Sequence, residues 1–253
     1  MIRVASYAFF RDENSAYEQP RAGAGRGRFF VNFLPAVARA HRSVFPEWEL
    51  WIHHDERVRE YPYFAVLERM ATRGLLRLFP MGASLGLCRS MLWRMGPIWS
   101  ADVEYVMCRD IDSLPTPRER KSVSRWMGSG EAIHAMHDSI SHRGTLLMGG
   151  LVDFDAQEIR RTMAHKQFTA LVDQFDFSFG LKLHGSDQVF LNRHFAPRYS
   201  ILSDDGSTLP EREDPRDFLT NHLGAAYHTQ PVITWYDANS PDQEILECEK
   251  EPS

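Results

Sequence analysis

Hydrophobic and polar positions along the chain fall into two periods that take turns. Short runs of β-forming residues are followed by longer stretches with apolar residues at helical spacing. Ile2–Phe10 reads as a first strand. Phe29, Phe30, Phe33, Leu34, Val37 and Ala40 then share one helical stripe, and Pro46 closes the segment, so the spacing predicts an amphipathic helix over Arg28–Val44. Trp48–Ile52 is a second strand with His53-His54-Asp55 as its polar tip. Tyr61–Met81 gives a helix with Val66, Leu67 and Met70 inward, followed by a short strand around Leu75–Phe79. Ser84–Ile98 is a further helix, with Ser84 as its cap and Leu87, Met91, Leu92 and Met95 on one stripe; Arg89 and Arg94 lie off it. Val103–Arg109 is an apolar run bounded by Ser100-Ala101-Asp102 and by Pro115 and Pro117, the pattern of a buried strand.

The second half carries clearer start signals. Thr116-Pro117-Arg118-Glu119 is a capping box with proline at the first helical position, opening a helix to about Met127 that Gly128 and Gly130 stop. Ala132–Met136 is a short strand with His137-Asp138 at its exit. Thr145–Val152 is an apolar stretch broken by Gly149 and Gly150. Asp155-Ala-Gln-Glu158 repeats the capping logic for a helix to roughly Gln174, and Gly185-Ser186-Asp187-Gln188 begins one that ends near His194. Ser203–Asp217 is an acidic, proline-containing loop, Val232–Tyr236 a last strand, and the residues from Asp237 a tail. Strands alternating with helices predict the α/β class: a mostly parallel, Rossmann-like sheet covered on both faces, in a single domain spanning 1–236.

With 253 residues, 43% of them hydrophobic, the chain has enough apolar material for one substantial core. A net charge of -5 argues against a surface built for nucleic acid, so any phosphate binding is local. Three cysteines, at 88, 108 and 248, give neither a paired framework nor a zinc spacing. The amino terminus has too short an apolar run for a signal peptide, and no window reaches the length of a membrane span. These features lead us to expect a soluble cytoplasmic protein.

Candidate chemistry centres on Val103–Ser113, VEYVMCRDIDS. The strand ends in Arg109, Asp110 and Asp112, which sets two carboxylates one residue apart at the carboxyl edge of the sheet, where open α/β sheets bind ligands. Carboxylate oxygens suit Mg2+ or Mn2+, and so small a protein contribution leaves coordination positions for diphosphate oxygens. The glycine pair has two readings: a plain turn, or backbone that another group must approach closely. Asp187 similarly is either a stabilising first-turn carboxylate or a functional one. His53 and His54 are adjacent strand residues facing opposite sides, which disfavours a shared metal. The RAGAGRGR stretch within Arg11–Gly27 and beyond matches neither a P-loop nor a dinucleotide fingerprint, and reads as a loop.

The run CRDIDSLPTPRERKSVSRW, followed by AIHAMHDSISHRGTLLMGG, resembles a group of bacterial and viral glycosyltransferases. Those carry an R-D-x-D-S element, a tryptophan ending the next helix, an H-x-M-x-D segment and a glycine pair. HGSDQVFLNR is similar to the D-Q-x-x-x-N segment of glycosyltransferases with the GT-A fold. The resemblance implies a GT-A-like fold, with a nucleotide-sugar-binding half at 1–113 and an acceptor-binding half at 114–236. It assigns the metal and diphosphate to Asp110 and Asp112. Ser6, Arg89 and Arg109 are further candidates for the donor; arginines off the stripe, as Arg89 and Arg94 are, are ordinarily only solvated, but their helix packs just before the Asp110 strand, so one could reach a diphosphate. His222 is the implied third metal ligand and His228 the second choice; the usual H-x-x-G spacing falls on Asn221, and Leu114 stands where an arginine is frequent.

Glycosyl transfer requires a leaving nucleoside diphosphate to be stabilised while the anomeric carbon gains oxocarbenium character. A cation at Asp110 and Asp112 would do this as a Lewis acid. In an inverting reaction Asp138 or Asp187 takes the acceptor's proton; in a retaining one Asp187 or Gln188 lies against the sugar's lower face. The expected ligands are Mn2+ or Mg2+, a UDP- or GDP-sugar, and a glycan or small-molecule acceptor such as a surface glycan. Competing readings are a nucleotidyl or phosphoryl transferase with the same carboxylate site, disfavoured by the absence of a P-loop, and a sugar-binding module without catalysis.

Overall fold

The computed structural model describes residues 1–10, 37–60, 64–85, 87–111, 113–137, 145–177 and 185–204. Its strands are β1 (Ile2–Phe9), β2 (Glu49–His54), β3 (Arg77–Pro80), β4 (Val103–Arg109), β5 (Ile133–Met136), β6 (Leu151–Asp155) and β7 (Ile201–Asp204). They form one sheet in the order β3-β2-β1-β4-β6-β5-β7. Every neighbouring pair is parallel except the two that involve β6, which runs against β4 and β5. The helices are α1 (described over 37–44), α2 (Phe64–Thr72), α3 (Leu87–Met91), α4 (Pro117–Met127), α5 (Ala156–Thr162), α6 (His165–Gln174) and α7 (Ser186–His194), with 3-10 segments at Glu56–Glu60 and Leu92–Trp99. The expected mixed α/β architecture, a mostly parallel sheet flanked by helices, is what the chain adopts.

Strand alternation sorts the side chains into two cores. Ala5, Tyr7 and Phe9 of β1 and Met107 of β4 pack with α1, α2 and α4 through Val37, Phe64, Met70 and Trp126. Val4 of β1 and Val106 and Cys108 of β4 face the other way, against Leu92, Met95, Ile159, Phe168, Phe190 and Phe195. Burial on both faces explains why β1 and β4 read as nearly continuous apolar runs. The alternation also sets the direction of the side chains at the end of β4. Arg109 belongs to the face of Met107, and Asp110 to the opposite face, with the Leu92–Trp99 segment.

The caps form as expected. Thr116 accepts from the Glu119 backbone N–H with Pro117 at the first turn, and the Asp155 carboxylate accepts from Gln157 and Glu158. Such caps contribute about 1 kcal/mol each. The Glu119 side chain, however, does not complete a capping box; it is buried against Arg109.

Several expected elements differ. The helix predicted over Ser84–Ile98 is a single α-turn followed by eight 3-10 residues containing Pro97, and the Ser84 hydroxyl bonds to Ser90 rather than capping. The 3-10 segment is buried at six of its eight residues, Arg94 among them, so the solvated position an arginine ordinarily takes is not available to it. The helix predicted from Asp155 to Gln174 is two helices. Met163 is extended and buried between them, and the Trp99 indole N–H donates to its carbonyl, a group that a continuous helix would have used itself. The second strand runs through His53 and His54, both buried rather than forming a polar tip: His53 bonds Ser6 and stacks on Phe79, while His54 packs against Phe64. The segment starting at Ser203 begins inside β7, and the strand expected at Val232–Tyr236 lies outside the described residues. Among the described residues no helix is long and apolar enough to cross a membrane.

Candidate functional site

The antiparallel β6 places its amino end beside the carboxyl end of β4, with Leu151 paired to Arg109, so Gly150 meets Asp110. The approach is close. A Cβ on Gly150 would lie 2.1 Å from Asp110 Oδ2, and a Cβ on Gly149 would lie 2.4 Å from both Asp187 Oδ2 and Arg94 Nη2. Both readings of the glycine pair hold: Gly149 and Gly150 are the central residues of a turn closed by the Leu151 N–H on the Met148 carbonyl, and the groups that approach them closely are the two candidate carboxylates. Asp187 arrives from the first turn of α7 and Arg94 from the 3-10 segment.

Arg94 joins the carboxylates. Its Nη1 donates to Asp110 Oδ1 at 2.6 Å and its Nη2 to Asp187 Oδ2 at 3.1 Å. The three groups differ in exposure: the side chains of Arg94 and Asp187 are 4% and 9% exposed, and that of Asp110 is 45% exposed. Burial disfavours the charged guanidinium, but Asp110 and Asp187 outweigh it and hold Arg94 firmly protonated. For Asp187, burial pushes the carboxyl above its usual range; Asp110 adds to this, while Arg94 and the backbone N–H groups of the helix start pull the other way. The cluster carries two acids on one base, with only Asp110 open to solvent. Of the two arginines in Ser84–Ile98, the sequence favours Arg89 for the ligand edge; the structure puts Arg94 there and Arg89 on Asp173.

Asn192, one turn beyond Gln188, ties this helix to the glycine turn. Its Oδ1 accepts from Leu147 N at 3.0 Å, and its Nδ2 donates to the carbonyls of Leu147 at 2.9 Å and Gln188 at 2.8 Å. Gln188 itself is half-buried beside Asp187.

The other candidates lie elsewhere. Arg109, expected near the diphosphate, turns to the opposite face, where Nε meets Glu119 at 2.6 Å and Nη1 meets Asp153 at 2.5 Å. Strand alternation from Asp110 imposes this. Asp153 continues through His134 Nδ1 at 2.7 Å to Ser122, Asp204 and Arg125, a buried polar line beneath the sheet. The mid-strand acid in LVDFD was its only sequence signal. Arg89, also expected at the diphosphate, pairs with Asp173 of α6. Ser6 is fully buried with its hydroxyl on His53 Nδ1, which takes it out of ligand reach. His137 bonds the Thr145 and Leu146 carbonyls. Asp112, Asp138, Asn221, His222, His228 and the RAGAGRGR stretch lie outside the described residues.

Of the expected metal ligands the described residues include Asp110, whose Oδ1 is engaged by Arg94. Asp110 is a half-exposed carboxylate at the sheet's carboxyl edge, and Mg2+ is commonly held by one or two such groups with substrate phosphates supplying further oxygens. Among the described residues no three potential ligands converge.

No protein-family model matches the chain, and none of the curated proteins does. Solved structures do. The glycosyltransferase GlyE of Streptococcus pneumoniae TIGR4 is 11% identical over 79% of this chain, with a TM-score of 0.48, and this chain spans 45% of GlyE. The galactosyltransferase LgtC, in complex with donor and acceptor sugar analogs, is 16% identical over 98% of this chain and 96% of its own, with a TM-score of 0.47. The 4-diphosphocytidyl-2C-methyl-D-erythritol synthase of Anaerococcus prevotii DSM 20548 is 10% identical over 85% and 95%, with a TM-score of 0.45.

Proposed function

We propose that the protein is a glycosyltransferase taking its sugar from a UDP- or GDP-linked donor, with Mn2+ or Mg2+ held by Asp110, Asp112 and His222. The observation that most supports this reading is the convergence of Asp110, Asp187 and Arg94 on the Gly149-Gly150 backbone at the carboxyl edge of β4. When bound, the cation neutralises charge growing on the leaving diphosphate. The chain's own residues do the rest. Asp110 presents its exposed carboxylate to the ligand, Arg94 holds Asp110 and Asp187 in a fixed relation, and the glycines leave room beside both. Asp187 and Gln188 then face the transferred sugar, and in an inverting reaction Asp138 or Asp187 takes the proton from the acceptor hydroxyl. Residues 1–113 bind the donor and 114–236 the acceptor, a glycan or small molecule met in the cytoplasm. Arg109, Arg89 and Ser6 have no donor contact in this reading, since each is engaged with another side chain.

Thermal-shift titration with UDP and GDP, with and without Mn2+, tests the proposal, because a true ligand raises apparent stability by mass action. One nucleotide should stabilise the wild type, more strongly with Mn2+, and Asp110→Asn and Asp112→Asn should abolish the Mn2+ effect. Asp110→Asn should itself change stability by no more than about 1 kcal/mol, as the Asp110 end of its ion pair is open to water. Equal binding of every nucleotide with no metal effect would overturn the reading.

A further inference from the structure

Asn192, in the HGSDQVFLNR segment, faces neither donor nor acceptor in the function proposed above, yet its carboxamide makes three bonds. Two of them pair it with the N–H and the C=O of Leu147, as a neighbouring strand would. Leu147 is fully buried, and Gly149 and Gly150 follow two and three residues later. From Asp187 to Asn192 the helix rises about 7.5 Å, and both ends of that span meet the chain between Leu147 and Gly149. The turn and α7 are therefore held together at two points, by the Asn192 carboxamide at one end of that span and by the close approach of Gly149 to Asp187 at the other. The third bond, from Nδ2 to the Gln188 carbonyl one turn earlier, fixes the rotamer that makes this pairing possible.

We propose that Asn192 is a positioning residue: by pairing with both backbone groups of Leu147 it sets Gly149 and Gly150 against the Asp187 and Asp110 carboxylates. This rests on the glycosyltransferase reading, since the carboxylates so placed are those assigned to metal, diphosphate and sugar. A side chain that only stabilised the fold would change the melting temperature without changing the affinity of the folded protein.

The test uses Asn192→Ala and Asn192→Asp in the full chain. Its readouts are hydrogen exchange at the Leu147 amide, melting temperature, and calorimetric titration with Mn2+ plus UDP and Mn2+ plus GDP. In Asn192→Ala the Leu147 amide should exchange at least about tenfold faster. Affinity for the nucleotide that the wild type binds should fall about tenfold, corresponding to the loss of a single positioning contact of about 1.4 kcal/mol. Asn192→Asp has a sharper signature. Its carboxylate keeps the acceptor for Leu147 N–H but faces two carbonyls, so it should bind as poorly as Asn192→Ala at pH 8. On acidification the carboxyl gains an O–H, which restores donor and acceptor together, and the facing carbonyls favour that neutral form. The ratio of its affinity to that of the wild type should therefore climb between pH 8 and pH 5. Wild-type binding that Asn192→Ala leaves unchanged, or a pH-independent ratio, overturns this proposal alone. Failure of the wild type to bind either nucleotide with Mn2+ overturns the glycosyltransferase reading and this proposal with it.

Discussion

Replacing Arg94 with methionine removes the charge that joins Asp110 and Asp187 while keeping an unbranched side chain in the cavity. The two ends of the bridge predict unequal losses. Asp110 is 45% exposed, and water compensates it, so its share is under about 1 kcal/mol. Asp187 is 9% exposed and is left as a buried carboxylate without its cation, a situation that costs about 3–5 kcal/mol. Nearly all the destabilisation of Arg94→Met should thus be carried by Asp187, and it should depend on pH. Burial already holds the Asp187 carboxyl above its unfolded value, with Arg94 pulling it down; removing Arg94 raises it further. A group whose folded pKa is raised binds more protons in the folded state, so folding is penalised above that pKa and relieved as the pH falls through it. Urea unfolding at pH 8 and pH 5 should show a loss of about 3–5 kcal/mol that shrinks on the acid side. Adding Asp187→Asn should recover most of the loss at pH 8 and remove its pH dependence. A loss of the same size at both pH values, unrelieved by Asp187→Asn, would refute the assignment of Arg94 as the counter-charge of Asp187.

Gly150→Ala introduces a methyl group that would sit 2.1 Å from Asp110 Oδ2, so the carboxylate must swing away; far-UV circular dichroism should be unchanged while the Mn2+-dependent nucleotide shift disappears. Asp153→Ala breaks the buried pair with Arg109 and removes the partner of His134, and should cost about 3–5 kcal/mol in urea unfolding at pH 7. In the wild type, Arg109 and His134 overcome burial to hold the Asp153 carboxyl below its usual range. Its contribution is complete above the unfolded value of about 3.9 and is lost as the pH falls through the lowered folded value. The gap between wild type and Asp153→Ala should therefore close only in strong acid, and a gap already closed at pH 6 would contradict it.

Much of this was legible in the chain because the signals were local. The cap at Thr116 and the cap at Asp155 follow from side chains acting within four residues of themselves. The site was legible only in part. Asp110 and Asp187 announced themselves as acids at element ends, and the glycine pair as backbone with an unexplained gap beside it. Arg94 did not, since a segment buried on nearly every side has no polar face to set its arginine apart, and its two carboxylate partners lie 16 and 93 residues away. Arg109 was misassigned for a different reason. Its neighbour faces the ligand edge, but adjacent strand residues face opposite sides, and the partner that claims Arg109 is a glutamate ten residues on, whose capping role looked sufficient. Long-range pairs such as Arg109–Asp153 leave no spacing rule to read.

The reversed direction of β6 makes the carboxyl edge of β4 depend on chain length as well as on residue chemistry. Every other strand beside β4 or β5 would bring an exit loop to this edge, whose length is free to drift. An entering strand instead counts its residues forward from the edge, so each insertion or deletion near 148–150 shifts the sequence facing Asp110 by one step. Removing one glycine there, with the buried register of β6 kept, would bring the side chain of Met148 to the place where Gly149 now faces Asp187. Homologous chains that vary freely in their surface loops should therefore hold this short segment to constant length.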